Sequence, residues 1–178
     1  MNSINEQQPE HNIANLSNEE AAKKIKELAD ASKTCFLCTD IKTGKAFATR
    51  PMAVQEVDDE GNIWFLSASD SHQNEHIGAD PHVQLLFKGS DYSDFLSVYG
   101  SASISKDKEK IEKFWNPMIK TWFTEGKDDP RITVVKVEPI DGYYWDTKHG
   151  TIVSFAKQLI GAATGQTLDD SIEGKLSV

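Results

Sequence analysis

Thr34-Cys-Phe-Leu-Cys-Thr-Asp40, then Lys42-Thr-Gly44, Ala46 to Val57, Asp58-Asp-Glu-Gly61 and Asn62-Ile-Trp-Phe-Leu66: in this stretch β-branched and aromatic residues recur between two turn signatures. It reads as strands over 34–40, 46–57 and 62–66 in an antiparallel meander. Trp64 and Phe65 alternate within it, which sends one to the core and the other outward or toward a partner. Cys35 and Cys38, the only cysteines, face opposite sides of such a strand. A redox Cys-x-x-Cys needs a helix start after a strand, and a zinc site needs a second pair of ligands. Neither context is present, so both read as structural thiols.

Upstream, Ser17-Asn-Glu-Glu20 opens a helix over 18–31, with Glu20 placed to complete a capping box and Ala21, Ala22, Ile25, Leu28 and Ala29 on one face. Residues 1–16 carry no periodic pattern and are expected to be flexible. Downstream, a short helix runs from Ser71 to Ala79 and stops at Asp80-Pro81, because the residue before proline avoids helical backbone. Strands follow over 83–87 and 95–103, then a helix over 106–115 with Ile111, Phe114 and Trp115 on its apolar side, ending near Asn116-Pro117. A connection over 118–130 leads to strands over 131–138, 142–147 and, more briefly, 150–153. A last helix spans 154–163, with Gly165 as its stop, and a polar tail over 166–178 is expected to be loose. Short strands joined by tight turns, with helices inserted rather than alternating, indicate a mainly β, antiparallel barrel with peripheral helices in one domain over 17–165.

Composition narrows the function. Of 178 residues, 26% are charged and 38% hydrophobic, ordinary for a soluble domain. No apolar run approaches the roughly 20 residues that cross a bilayer, and the polar start lacks the basic-then-apolar order of a secretory signal. A cytoplasmic protein without membrane association is expected. A net charge of -9 with no Lys/Arg cluster argues against nucleic acid. An anionic cofactor needs only a local positive site.

Among 19 basic residues only Arg50 and Arg131 are arginines. Arginine's planar fork binds phosphate or carboxylate through paired hydrogen bonds, which lysine cannot do. Arg50 directly precedes Pro51, which cannot donate to a ladder, so it belongs at a strand edge or bulge, facing either a ligand or a surface salt-bridge partner. Ser71 suits a helix cap as well as a ligand contact. His72 and His76 have a helical spacing that can hold metal, but no further ligand accompanies them and no metal site is expected.

Arg50-Pro-Met52, Asn62-Ile-Trp-Phe-Leu-Ser67, Ser71-His-Gln73, Asp80-Pro81, Ser97-Val-Tyr-Gly100, Trp115-Asn-Pro117, Trp122-Phe123, Asp128-Asp-Pro130 and Tyr144-Trp-Asp146 occur in an order that resembles the general stress protein 26-like branch of the pyridoxamine 5'-phosphate oxidase-like, FMN-binding split β-barrel superfamily. The resemblance covers about residues 18 to 165. It implies a six-stranded antiparallel split barrel and a homodimer with FMN sites at its interface. By position it implies cofactor contacts from Arg50 and Met52 on one strand, Leu66 and Ser67 on the next, and Ser71, His72 and Gln73 at the following helix start, with Trp122 reaching in from the partner chain. A helix start suits a phosphate, because free N–H groups and the positive end of the dipole face it.

Two departures from the family pattern follow. Gln73 stands where a lysine commonly assists the arginine. The tryptophan and paired arginines that hold substrate in the true oxidases are answered here by Tyr143-Tyr-Trp-Asp146 and then Thr147-Lys-His-Gly150, with no arginine. The expectation is therefore a flavin-dependent oxidoreductase that does not oxidise pyridoxamine phosphate, with no catalytic side chain indicated. The alternatives are a stress protein that holds or buffers flavin and a barrel that has lost flavin. Relatives in the superfamily use deazaflavin F420 or haem, which no residue here selects.

Overall fold

The computed structural model describes residues 12–42, 44–89, 94–148 and 170–178. Its strands are β1 (Leu16–Ser17), β2 (Thr34–Thr39), β3 (Ala48–Ala53), β4 (Glu56–Val57), β5 (Ile63–Ala68), β6 (His82–Lys88), β7 (Phe95–Ser105), β8 (Ile132–Thr147) and β9 (Ser171–Ser177); its helices are α1 (Asn18–Ser32), α2 (His72–Ala79) and α3 (Lys108–Phe114). Among the described residues the strands form one sheet in the order β1-β9-β8-β7-β6-β2-β3, with β5 also paired to β8 and β4 to β5. The architecture is mainly β with peripheral helices, as expected. Among the described residues the sheet has nine strands and does not close, so the expected count of six is not confirmed. The expected strand over 150–153 and helix over 154–163 lie outside the described residues.

The extra strands come from segments whose local pattern is weak. β9 occupies the tail read as loose: it pairs with Asp141–Thr147 of β8 and buries Leu176 completely. Its inward position Gly174 is dictated by packing, since a Cβ there would collide with the Ala14 carbonyl. Residues 12–16, expected to be flexible, lie along the same strand: Ile13 bridges Glu173, Leu16 pairs with Leu176 in parallel, and Tyr144 Oη donates to Ala14 O at 2.8 Å. Ser17 is consequently extended and makes no side-chain cap to α1, so the expected capping box is not formed.

The strand expected over 46–57 bends at Val54 and Gln55. Val54 N donates to Lys33 O at 2.9 Å and Gln55 N to Trp64 O at 2.9 Å, which passes the chain from β2's side to β5's. The simple meander is thereby split: β2 pairs with β3 and β6, while β5 pairs with β4 and β8. Downstream, the two strands expected over 131–138 and 142–147 are one strand of 16 residues. Pro139 sits where the β7 register shifts between Tyr99 and Gly100. Gly100 admits the close approach, because a Cβ would meet the Glu138 carbonyl oxygen.

Two apolar clusters result. The main core joins the buried face of α1, namely Ala21, Ile25, Leu28 and Ala29, to Leu37, Phe65, Leu85, Val98 and Val135. Ile25 is wholly buried, and truncating it to alanine would destabilise by about 2–5 kcal/mol. A second cluster packs Ile111 and Phe114 of α3 with Ile119 and Phe123 against Ile132 and Val134 of β8, with Trp64 and Leu66 of β5 alongside. Of the alternating pair, Phe65 is the core residue and Trp64 the outer one: its indole donates to Asp58 at 3.0 Å and Lys110 Nζ lies 4.1 Å above its ring.

Candidate functional site

Along β3 the residues Ala48, Arg50 and Met52 are half-buried while Thr49, Pro51 and Ala53 are exposed, the two-residue repeat of a strand with one covered face. β3 ends the strand path, which is where a strand tolerates Pro51. Arg50 and Met52 meet Leu66 and Ser67 of β5, Ser71 and Gln73 at the start of α2, and Trp122 around one cavity of about 360 Å³. That size falls within the roughly 300–1,000 Å³ of small-molecule sites. Ile119, Phe123 and Gln55 complete the wall and were not anticipated.

Trp122, expected to reach in from the partner chain, borders the cavity of its own chain. The 3-10 turn over Pro117–Thr121 is drawn in by Ile119 and Phe123, which bury in the second cluster and set Trp122, 67% exposed, at the rim. His72 is placed apart from the other expected residues. It is not among the lining residues; its side chain is 85% exposed, with Nδ1 3.2 Å from Glu75 Oε2. His76 turns elsewhere, with Nδ1 2.9 Å from Thr39 Oγ1, so the two histidines do not converge.

Around the start of α2 the polar groups are already connected. Gln73, 2% exposed, donates from Nε2 to Ser67 Oγ at 3.4 Å, and Ser67 Oγ lies 3.3 Å from Ser71 Oγ. Ser71 caps its helix by accepting from Asn74 N at 3.2 Å, so the structural and ligand-facing readings of this serine coexist: the cap uses a lone pair and leaves the hydroxyl hydrogen to donate. Arg50 Nη1 donates to Thr39 Oγ1 at 3.1 Å. Among the described residues no carboxylate pairs with Arg50.

Charge separates this cavity from its neighbours. A larger hollow of about 580 Å³ lies beyond Ser71, but Asp70 and Glu75 border it beside Lys106, and carboxylates oppose an anion. Among the described residues the 360 Å³ cavity has no carboxylate, histidine, cysteine, lysine or tyrosine in its lining. It offers one guanidinium, two hydroxyls, carboxamides and an apolar remainder, which fits a ligand with an anionic end and a flat apolar body, as a flavin nucleotide is. The cysteines stand apart from it, both buried and unbridged. Burial, with a smaller contribution from Cys38, pushes the Cys35 thiol up to about 12, far from a reactive thiolate.

The sequence profile of the family described as pyridoxamine 5'-phosphate oxidase like matches residues 20–169. General stress protein 26 of Bacillus subtilis is 28% identical over 130 residues, spanning 71% of this chain and 89% of that protein. A crystal structure from a Jannaschia species, described as a candidate general stress protein 26, superposes with a TM-score of 0.69 at 22% identity, covering 90% of this chain and 96% of that one. The general stress FMN/FAD binding protein of Xanthomonas citri is 26% identical with a TM-score of 0.55, covering 67% and 82% of the two chains. The chain belongs to the pyridoxamine 5'-phosphate oxidase like family, in its general stress protein 26 branch.

Proposed function

We propose that this protein binds FMN in the cavity bordered by Arg50 and acts as a flavin-dependent oxidoreductase in a cytoplasmic homodimer. The observation that carries the reading is Arg50: a half-buried arginine beside two serine hydroxyls, held among the described residues only by a neutral threonine. An arginine so placed gains a charge-assisted, paired contact when a phosphate arrives. Met52, Leu66, Ile119, Phe123 and Trp122 provide the bulk of the apolar lining. A bound flavin supplies the electron chemistry, and the protein's residues bind and orient it. The Xanthomonas citri relative, named for FMN/FAD binding, supports this choice of ligand. Oxidation of pyridoxamine phosphate is not proposed, since no arginine follows Trp145 to hold that substrate.

Dimerisation is supported by the outer face of the sheet. Phe36, 53% exposed, and Leu86, 41% exposed, are cross-strand neighbours on β2 and β6, with Pro51 opposite Phe36 on β3. Such a row suits the apolar centre of a subunit interface, and the exposed rim at Trp122 leaves the cavity open for a partner to cover.

A second reading, a stress protein that holds or buffers flavin without turnover, is favoured by the absence of acid–base side chains among the described lining residues. One experiment addresses both. Purified protein incubated with FMN and desalted should keep a flavin absorption spectrum, and NADH or NADPH should bleach it, with recovery in air. Retained flavin that neither nucleotide reduces selects the holding role. Protein that stays colourless contradicts FMN binding altogether.

A further inference from the structure

Thr39 is wholly buried at the end of β2, yet its hydroxyl is bonded on both sides. Arg50 Nη1, which can only donate, reaches Thr39 Oγ1 at 3.1 Å; His76 Nδ1 lies 2.9 Å from the same oxygen. Once the hydroxyl accepts from Arg50, its own hydrogen is free to be donated to His76 Nδ1. The three side chains form a line from the cavity to the last turn of α2. The first turn of the same helix carries Gln73, which with Ser71 borders the cavity, and positions 73 and 76 share a helix face.

We propose that Thr39 and His76 are positioning residues that hold the Arg50 guanidinium in register with Ser67, Ser71 and Gln73, and so select a phosphomonoester-bearing flavin over its dephosphorylated form. This rests on the reading of Arg50 as the phosphate ligand. The physical reason is entropic as well as geometric. A free arginine side chain carries considerable rotamer freedom, which binding must remove. Fixing one Nη on a buried hydroxyl, itself fixed by the imidazole, removes part of that freedom before the ligand arrives and leaves the other guanidinium N–H groups to donate. The β3 and α2 sides of the cavity are also joined through this line, so the anion meets them at a set separation.

The test is a titration of the full chain, stripped of flavin, with FMN and with riboflavin. Thr39→Val keeps the shape and removes the hydroxyl; it should weaken FMN about tenfold, the scale of one hydrogen bond to a charged group, and leave riboflavin within about twofold of wild type. Thr39→Ser restores the hydroxyl and should recover most of the FMN affinity, a rescue that a merely structural role would not show. In an Arg50→Ala background Thr39→Val should add nothing. FMN affinity unchanged by Thr39→Val but lost in Arg50→Ala overturns the positioning role and leaves the phosphate reading standing. Affinity unchanged in Arg50→Ala overturns that reading and this one with it. Equal losses for FMN and riboflavin in Thr39→Val also overturn it. Should Thr39→Val fail to fold, His76→Leu against His76→Asn reads the other end of the line. The asparagine amide replaces the Nδ1 acceptor, so loss with Leu and recovery with Asn is expected, and equal affinities contradict the proposal.

Discussion

The molecule has two arginines in opposite situations. Arg131 is spent within the fold: its Nε and Nη2 donate to the two carboxylate oxygens of Asp129 at 3.0 and 2.8 Å, and Nη2 reaches Trp122 O at 3.4 Å. The guanidinium holds the Asp129 carboxyl down at about 2. Among the described residues Arg50 has no such partner and touches one neutral hydroxyl at the edge of a cavity whose described lining holds no carboxylate. The same side chain is thus a structural clamp where the chain supplies its anion and a candidate ligand site where it does not. That difference, rather than the presence of arginine, points to function.

The contrast breaks most visibly at Arg50 itself. Arg50→Ala should weaken FMN by roughly ten- to a hundredfold, from loss of charge-assisted hydrogen bonds of about 1.5–3 kcal/mol, while riboflavin affinity and the Tm of the flavin-free protein stay near wild type. Isothermal titration and a thermal melt check both halves.

Arg131→Ala should show the opposite profile: Tm falls by several degrees, and FMN affinity falls only a few fold through the loosened Trp122 rim. Its pH dependence has a definite sign. Asp129 has an ordinary value of 3.8 and a folded value of about 2. The pair's stabilisation is therefore present above pH 4 and is lost as pH falls through about 2. The Tm gap between wild type and Arg131→Ala, followed by calorimetry, should shrink across that window.

A smaller effect is expected from supplying the charge missing beside Arg50. Gln73→Lys should tighten FMN by several fold at low salt. Position 73 is buried, so the gain should largely persist at physiological ionic strength, since buried charges are screened less than exposed ones. Titrations at two salt concentrations check it. Tightening of riboflavin as well would show that the new side chain acts on something other than the phosphate.

Local features of the site were readable in the residues alone. The alternation that turns Arg50 and Met52 the same way, the edge position of Pro51 and the helix cap at Ser71 each depend on a few neighbouring positions. Features set by distant pairing were not. Thr39 meets Arg50 only because Leu37 is registered against Arg50, which places Thr39 diagonally across from it. That Trp122 borders its own chain's cavity is likewise invisible locally, since its position depends on Ile119 and Phe123 burying against a cluster that includes β8 and the flank of β5. Pro139 looked like the end of a strand, yet a register shift beside Gly100 lets β8 run through it. The tail gave little sign of β9, since Gly174 contributes no apolar side chain to the pattern and is there for its close approach to Ala14.

The most direct measurement is a crystal structure of the protein grown with FMN. The phosphate is expected on the Arg50 guanidinium with the Ser67 and Ser71 hydroxyls beside it, Thr39 still bonded to Arg50, and the flavin ring along Met52 and Leu66. A phosphate bound elsewhere, whether in the hollow beside Lys106 or free in solvent with Arg50 untouched, would contradict the assignment of Arg50 as the anion site.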